Sequence, residues 1–153
     1  MTVVNDADAF TKSAFGVKAT KAYTPLVVET KTLFTVSGLV LVTSIVGQVT
    51  TAITVANTVK LQANPTVGAT VDLCAATDIG TTDTPAGNLL TVAGAPATSI
   101  VNGVGAVPLM ATAQAIAVAA GTIEQVTATG ADGGITWYIT YVPLASGATI
   151  VAA

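Results

Sequence analysis

The stretch ITWYITYV, residues 135–142, decides how this chain folds. Side chains of an extended strand alternate between faces. Ile135, Trp137, Ile139 and Tyr141 therefore share one face, and Thr136, Tyr138, Thr140 and Val142 share the other. Eight residues rich in β-branched and aromatic types, with no Gly or Pro, favour a strand over a helix. The same alternation recurs upstream in TVKLQA (58–63), where Val59, Leu61 and Ala63 oppose Lys60 and Gln62.

Working outward, further strands are expected at 32–37, 39–46, 50–56, 69–75, 88–93 and 122–128, separated by Gly, Pro, Asn and Asp clusters. Asn64-Pro65 opens a turn. Residues 131–134 (ADGG) read as a hairpin joining the last two long strands. Residues 76–88 form the longest polar loop. Residues 109–120 fit a helix by their alanines and a strand by AIAVAAG; strand is the reading taken. Seven or eight short strands without a long helical period predict an all-β fold. The expected body is an antiparallel β-sandwich, jelly-roll-like, over residues 32–153. Residues 1–31 carry four of the five lysines and show no clear period, so an extended N-terminal arm is expected there. One short helix within it would carry Ala7, Phe10 and Ala14.

The 153 residues suit one domain. Only 8% are charged, against about 25% in an average soluble protein. Histidine is absent, and all five basic residues are lysines. The usual general base and commonest metal ligand are thus missing, as is any bidentate guanidinium clamp. No enzyme activity, cofactor or small-molecule substrate is expected. A net charge of −3 speaks against nucleic acid. Mean hydropathy is +0.75, yet the charge-free stretches 32–59 and 84–123 are broken by Thr, Asn, Gly and Pro. No membrane span is therefore expected, and the acidic MTVVNDADAF shows no signal peptide.

Individual motifs are weak. Gly103-Val104-Gly105 lacks the third glycine and the βαβ setting of a dinucleotide site. Asp83-Thr84-Pro85 lacks the glycine of an aspartic-protease turn and has no second copy. Glu29 and Glu124 stand as the remaining carboxylate pair, with solvation or hydrogen bonding as their ordinary role. The loop acids lack the order of a calcium loop. Cys74 is expected to be a small, partly buried hydrophobe. A chain so poor in charge is expected to cover much of its surface with protein. The expected contact residues are Phe10, Lys12, Phe15, Lys18, Lys21 and Tyr23 of the arm. Trp137 and Tyr141 join them as residues that fit either the core or an intersubunit anchor.

The segments LFTVSGLVLVTSIVGQVTTAI, ANPTVGATVDLCAATDI and AAGTIEQVTATGADGGITWYITYVPL, within residues 33–144, resemble small structural proteins of tailed-phage virions. The nearest kind is the capsid decoration, or cement, protein. The resemblance implies partners in the major capsid protein and in the chain itself, as dimer or trimer. It also implies a place on the capsid exterior after synthesis in the host cytoplasm. It carries over no catalytic residue. Two other roles share the β-rich pattern: a tail-fibre or receptor-binding domain, and a cellular adhesin or pilus-like subunit.

Overall fold

A computed structural model describes residues 15–92, 100–104, 115–130 and 132–153. Two antiparallel six-stranded sheets pack face to face as an all-β sandwich. Sheet A runs β1 (Val17–Tyr23), β11 (Gly134–Pro143), β3 (Val40–Thr51), β7 (Asn88–Val92), β8 (Ile100–Val104), with β9 (Ile116–Val118) also on β3. Sheet B runs β12 (Thr149–Ala152), β2 (Thr30–Ser37), β10 (Gly121–Thr127), β4 (Thr58–Pro65), β5 (Val71–Asp72), with β6 (Thr77–Asp78) also on β4.

ITWYITYV is the centre of this arrangement. Ile135, Trp137, Ile139 and Tyr141 are all buried between the sheets, and Trp137 has no solvent exposure. Trp137 lies opposite Gly47 in register. A Cβ at Gly47 would sit 2.8 Å from Cζ3 of the indole. The missing side chain leaves the slot in which the tryptophan lies. The indole Nε1–H donates to Gln125 Oε1 on the facing sheet at 2.8 Å, and Gln125 Nε2 donates to Thr127 Oγ1 at 3.0 Å. Gln125 is fully buried. An indole N–H buried without an acceptor would cost about 1–3 kcal/mol, so this bridge fixes which strand faces which.

Several expectations are corrected. Residues 39–46 and 50–56 are not two strands. β3 runs unbroken through Gly47 because that glycine serves packing, not a turn. Beyond Thr51 only Ile53 continues, bridged to Thr84. The arm does not extend to residue 31. Val17–Tyr23 pairs along its whole length with β11, and Leu26 is fully buried. Polar residues at 18, 20 and 21 break the alternation, so KATKAY reads as loop from sequence, although lysines also suit an edge strand. The short helix expected nearer the N-terminus lies outside the described residues. Residues 131–134 are no hairpin, since β10 belongs to sheet B and β11 to sheet A. The link crosses between sheets beside Ile53, where Gly133 has φ +78° and a Cβ would come within 2.5 Å of Ile53 Cγ1. The Asp132 carboxylate secures it, accepting from Thr54 N–H (2.8 Å), Thr54 Oγ1 (2.7 Å) and Val55 N–H (3.2 Å). These donors hold the carboxyl below its ordinary pKa.

Strand 69–75 shortens to Val71–Asp72, and Leu73 and Cys74 both turn inward. Cys74 is fully buried. Its Sγ accepts Leu61 N–H at 3.1 Å, where β4 has no strand partner between β5 and β6. Burial raises the thiol pKa. Of residues 109–120, the strand reading holds for Ile116–Val118; residues 109–114 lie outside the described residues.

Candidate interaction surface

The two sheets differ in what they present outward. On sheet B, Glu124 faces away from the core yet is buried. Its carboxylate accepts from Gln62 Nε2 (2.8 Å), Asn64 Nδ2 (3.2 Å) and Thr122 Oγ1 (2.7 Å). Burial pushes its pKa up, but these donors outweigh it and bring the net shift down. Asn64 Oδ1 in turn accepts from Thr70 Oγ1, and Lys60 pairs with Asp72 at 2.6 Å. Polar groups here satisfy one another.

The outer face of sheet A is of another kind. Cα register places Thr20, Tyr138, Val46 and Thr91 in one row across β1, β11, β3 and β7. On one side lies the row Ala22, Thr136, Gln48 and Leu89. On the other lies Lys18, Thr140 and Ser44. Tyr138 stands at the centre, 44% exposed. Among the described residues Lys18 at the rim carries the face's one charge, and no carboxylate occurs on the described strands of the sheet. Thr91, at the β7 end of the central row, is buried and its Oγ1 donates to the Ile45 carbonyl at 3.0 Å. Elsewhere on the face the side-chain hydrogen bonds among the described residues are a long Tyr138 Oη–Gln48 Oε1 contact of 3.4 Å and Thr43 Oγ1 to the Thr140 carbonyl at 3.1 Å. With strands about 4.8 Å apart and same-face residues about 7 Å apart, the grid covers roughly 400 Å².

The residues expected to touch partners are scattered by the fold. Phe10 and Lys12 lie outside the described residues. Phe15 is 70% exposed, at the entrance to β1. Lys18 joins the outer face of sheet A. Lys21 sits at the seam where β1 runs beside β12, and its Nζ donates to the Ala153 carbonyl. Tyr23, Trp137 and Tyr141 are core residues: of the two readings for Trp137 and Tyr141 the core one holds, whereas for Tyr23 this corrects the expected contact role. The Tyr23 hydroxyl accepts Val27 N–H at 3.1 Å and lies 3.0 Å from Glu29 Oε1, with Lys31 Nζ 5.6 Å from the ring centroid. Burial is the main cause of its raised pKa. Glu29 and Glu124 serve separate networks, Glu29 with Tyr23 and Lys31, Glu124 on the outer face of sheet B.

Tyr138, Val46 and Leu89 are the surface residues that sequence reading did not select. Alternation placed Tyr138 opposite Trp137, but only the packing of sheet B on one face reveals which face is free. Among the described residues no cluster of three or more His, Cys, Asp or Glu side chains gathers, and no helix is long and apolar enough to cross a membrane. No protein-family model matches this chain, and no curated protein or solved structure is significantly similar to it.

Proposed function

We propose that this chain is a virion structural protein that decorates and stabilises a tailed-phage capsid by bridging major capsid protein subunits. The outer face of sheet A would lie against the shell. The observation that carries the reading is that face: a nearly uncharged grid with a half-exposed tyrosine at its centre and a lysine at its rim. Core regions of protein interfaces are depleted in charge and enriched in tyrosine. The sequence resemblance supplies the partner.

The size of the face fits a repeated contact better than a solitary one. Roughly 400 Å² is about half of the 800 Å² each partner gives to a standard interface. One such contact is weak, and a lattice of them gains through avidity. Cosedimentation of the protein with shells stripped of it tests the reading. Wild-type chain is expected to bind and Tyr138→Lys to lose at least tenfold in affinity, with the fold retained by circular dichroism. Equal binding by the two, or recovery of the chain at the tail tip alone, would overturn it.

A further inference from the structure

A second surface lies at the open side of the sandwich, away from the outer face of sheet A. There the edge of sheet B meets β9, and an apolar groove of about 210 Å³ opens between them. Ala63, Pro65, Val71 and Leu73 form one wall, residues 116–119 the other, and no charged side chain lines it. Ligand pockets for drug-sized molecules run from about 300 Å³ upward. A dry recess of about 150 Å³ already accommodates a benzene ring. This groove is therefore sized for one or two apolar side chains.

Directly beside it, the loop between β4 and β5 holds up such a side chain. Val67 is 88% exposed, the most exposed large hydrophobic residue among those described. Its neighbours Thr66, Gly68 and Ala69 are uncharged. The base of the loop is fixed: Thr66 N–H donates to the Ala120 carbonyl at 2.8 Å, and Thr70 Oγ1 to Asn64 Oδ1 at 3.2 Å. A tip anchored in this way meets a partner with little loss of loop entropy. Val67 projects from the same rim that supplies Pro65 and Val71 to the groove.

We propose that knob and groove are the two halves of one self-complementary contact, in which Val67 of each copy enters the groove of a second copy. Knob and socket lying side by side on one patch suit a two-fold axis, where residue i meets j and j meets i. Electrostatics agrees. The chain carries −3, but the contact holds no charge of its own, so like-charge repulsion between copies is kept outside it. Lys60 and Asp72, on the strands β4 and β5 that form this edge, pair with each other at 2.6 Å. The dimer does not depend on the capsid reading and can fail or hold without it.

Sedimentation equilibrium of the full chain up to about 1 mM tests the proposal. Wild type is expected to form a reversible dimer. Val67→Ser, which removes the knob, and Val71→Lys, which blocks the groove, are each expected to raise the dimer Kd at least tenfold. Both positions are exposed, so folding is spared. An equimolar mixture of the two variants keeps one intact contact, the Val67 of the Val71→Lys copy in the groove of the Val67→Ser copy. Heterodimer is expected to reappear in that mixture. A wild type that stays monomeric would overturn the proposal, as would a species larger than a dimer, variants that associate like wild type, or a mixture without recovery.

Discussion

Trp137 and Tyr138 are neighbours in sequence and opposites in role. One lies wholly between the sheets with its N–H bonded to Gln125; the other stands on the outer face of sheet A with a single long hydrogen bond. The contrast extends to the outer faces of the two sheets. Sheet B ties its outward polar groups into a network around Glu124, whereas sheet A leaves a nearly uncharged surface. The difference teaches that in a chain with few charges, where those charges sit says more than how many there are. Here the described carboxylates lie on sheet B and the loops, and the described charges of sheet A are Lys18 and Lys21, both on its edge strand β1.

Substitution can break that contrast at several points. Trp137→Ala should destabilise the protein most, by about 3–5 kcal/mol, through lost burial and the orphaned Gln125; urea denaturation reads it directly. Gly47→Ala should cost about 1–3 kcal/mol by forcing a Cβ against the indole, and a lowered thermal midpoint would show it. Glu124→Ala should cost about 1–3 kcal/mol, because it removes three hydrogen bonds to a charged acceptor on a partly buried patch. Tyr138→Thr, on the bare face, should stay within about 0.5 kcal/mol. If Tyr138→Thr destabilised as much as Glu124→Ala, the two outer faces would not differ in the way described.

The pH response sharpens the same point. Glu124, Asp78 and Asp132 all have folded-state pKa values below their ordinary ones. The donors around each outweigh burial. Asp78 accepts from Asn57, Gly80 and Thr81 N–H groups and from the Thr81 hydroxyl. A depressed pKa contributes stability that is fully present above the unfolded-state value and lost as pH falls through the folded-state one. Urea midpoints should therefore hold near neutrality and decline below the ordinary carboxylate range. Glu124→Gln should flatten part of that decline. Tyr138→Thr should leave it unchanged.

Strand identity was legible wherever alternation was clean, as in 58–63 and 135–142, because period-two burial leaves its mark residue by residue. Three things were not. β1 was hidden because Lys21, next to Thr20, breaks its alternation, and lysines suit an edge strand as well as a loop. The long course of β3 was hidden by Gly47, whose role depends on a tryptophan some ninety residues away. The free face of sheet A was hidden because alternation sorts side chains into two sets without saying which set another sheet will cover. Glu124 illustrates the same limit: its burial on an outward face comes from Gln62 and Asn64 on a neighbouring strand, a pairing that spacing alone does not reveal. Short runs of Val, Ile, Leu and Thr between turn residues pointed correctly to a β-rich body, but the lysine-bearing segment read as an arm is in part a strand of the sandwich.

The most direct test of the contrast between the two outer faces is hydroxyl-radical footprinting of the free chain and of the chain bound in its native particle. Tyr138 on sheet A and Val151 on sheet B are both exposed in the free protein. The expected result is strong protection of Tyr138 on assembly with Val151 still reactive. Protection of Val151 with Tyr138 left reactive would contradict the assignment of sheet A as the partner-facing side.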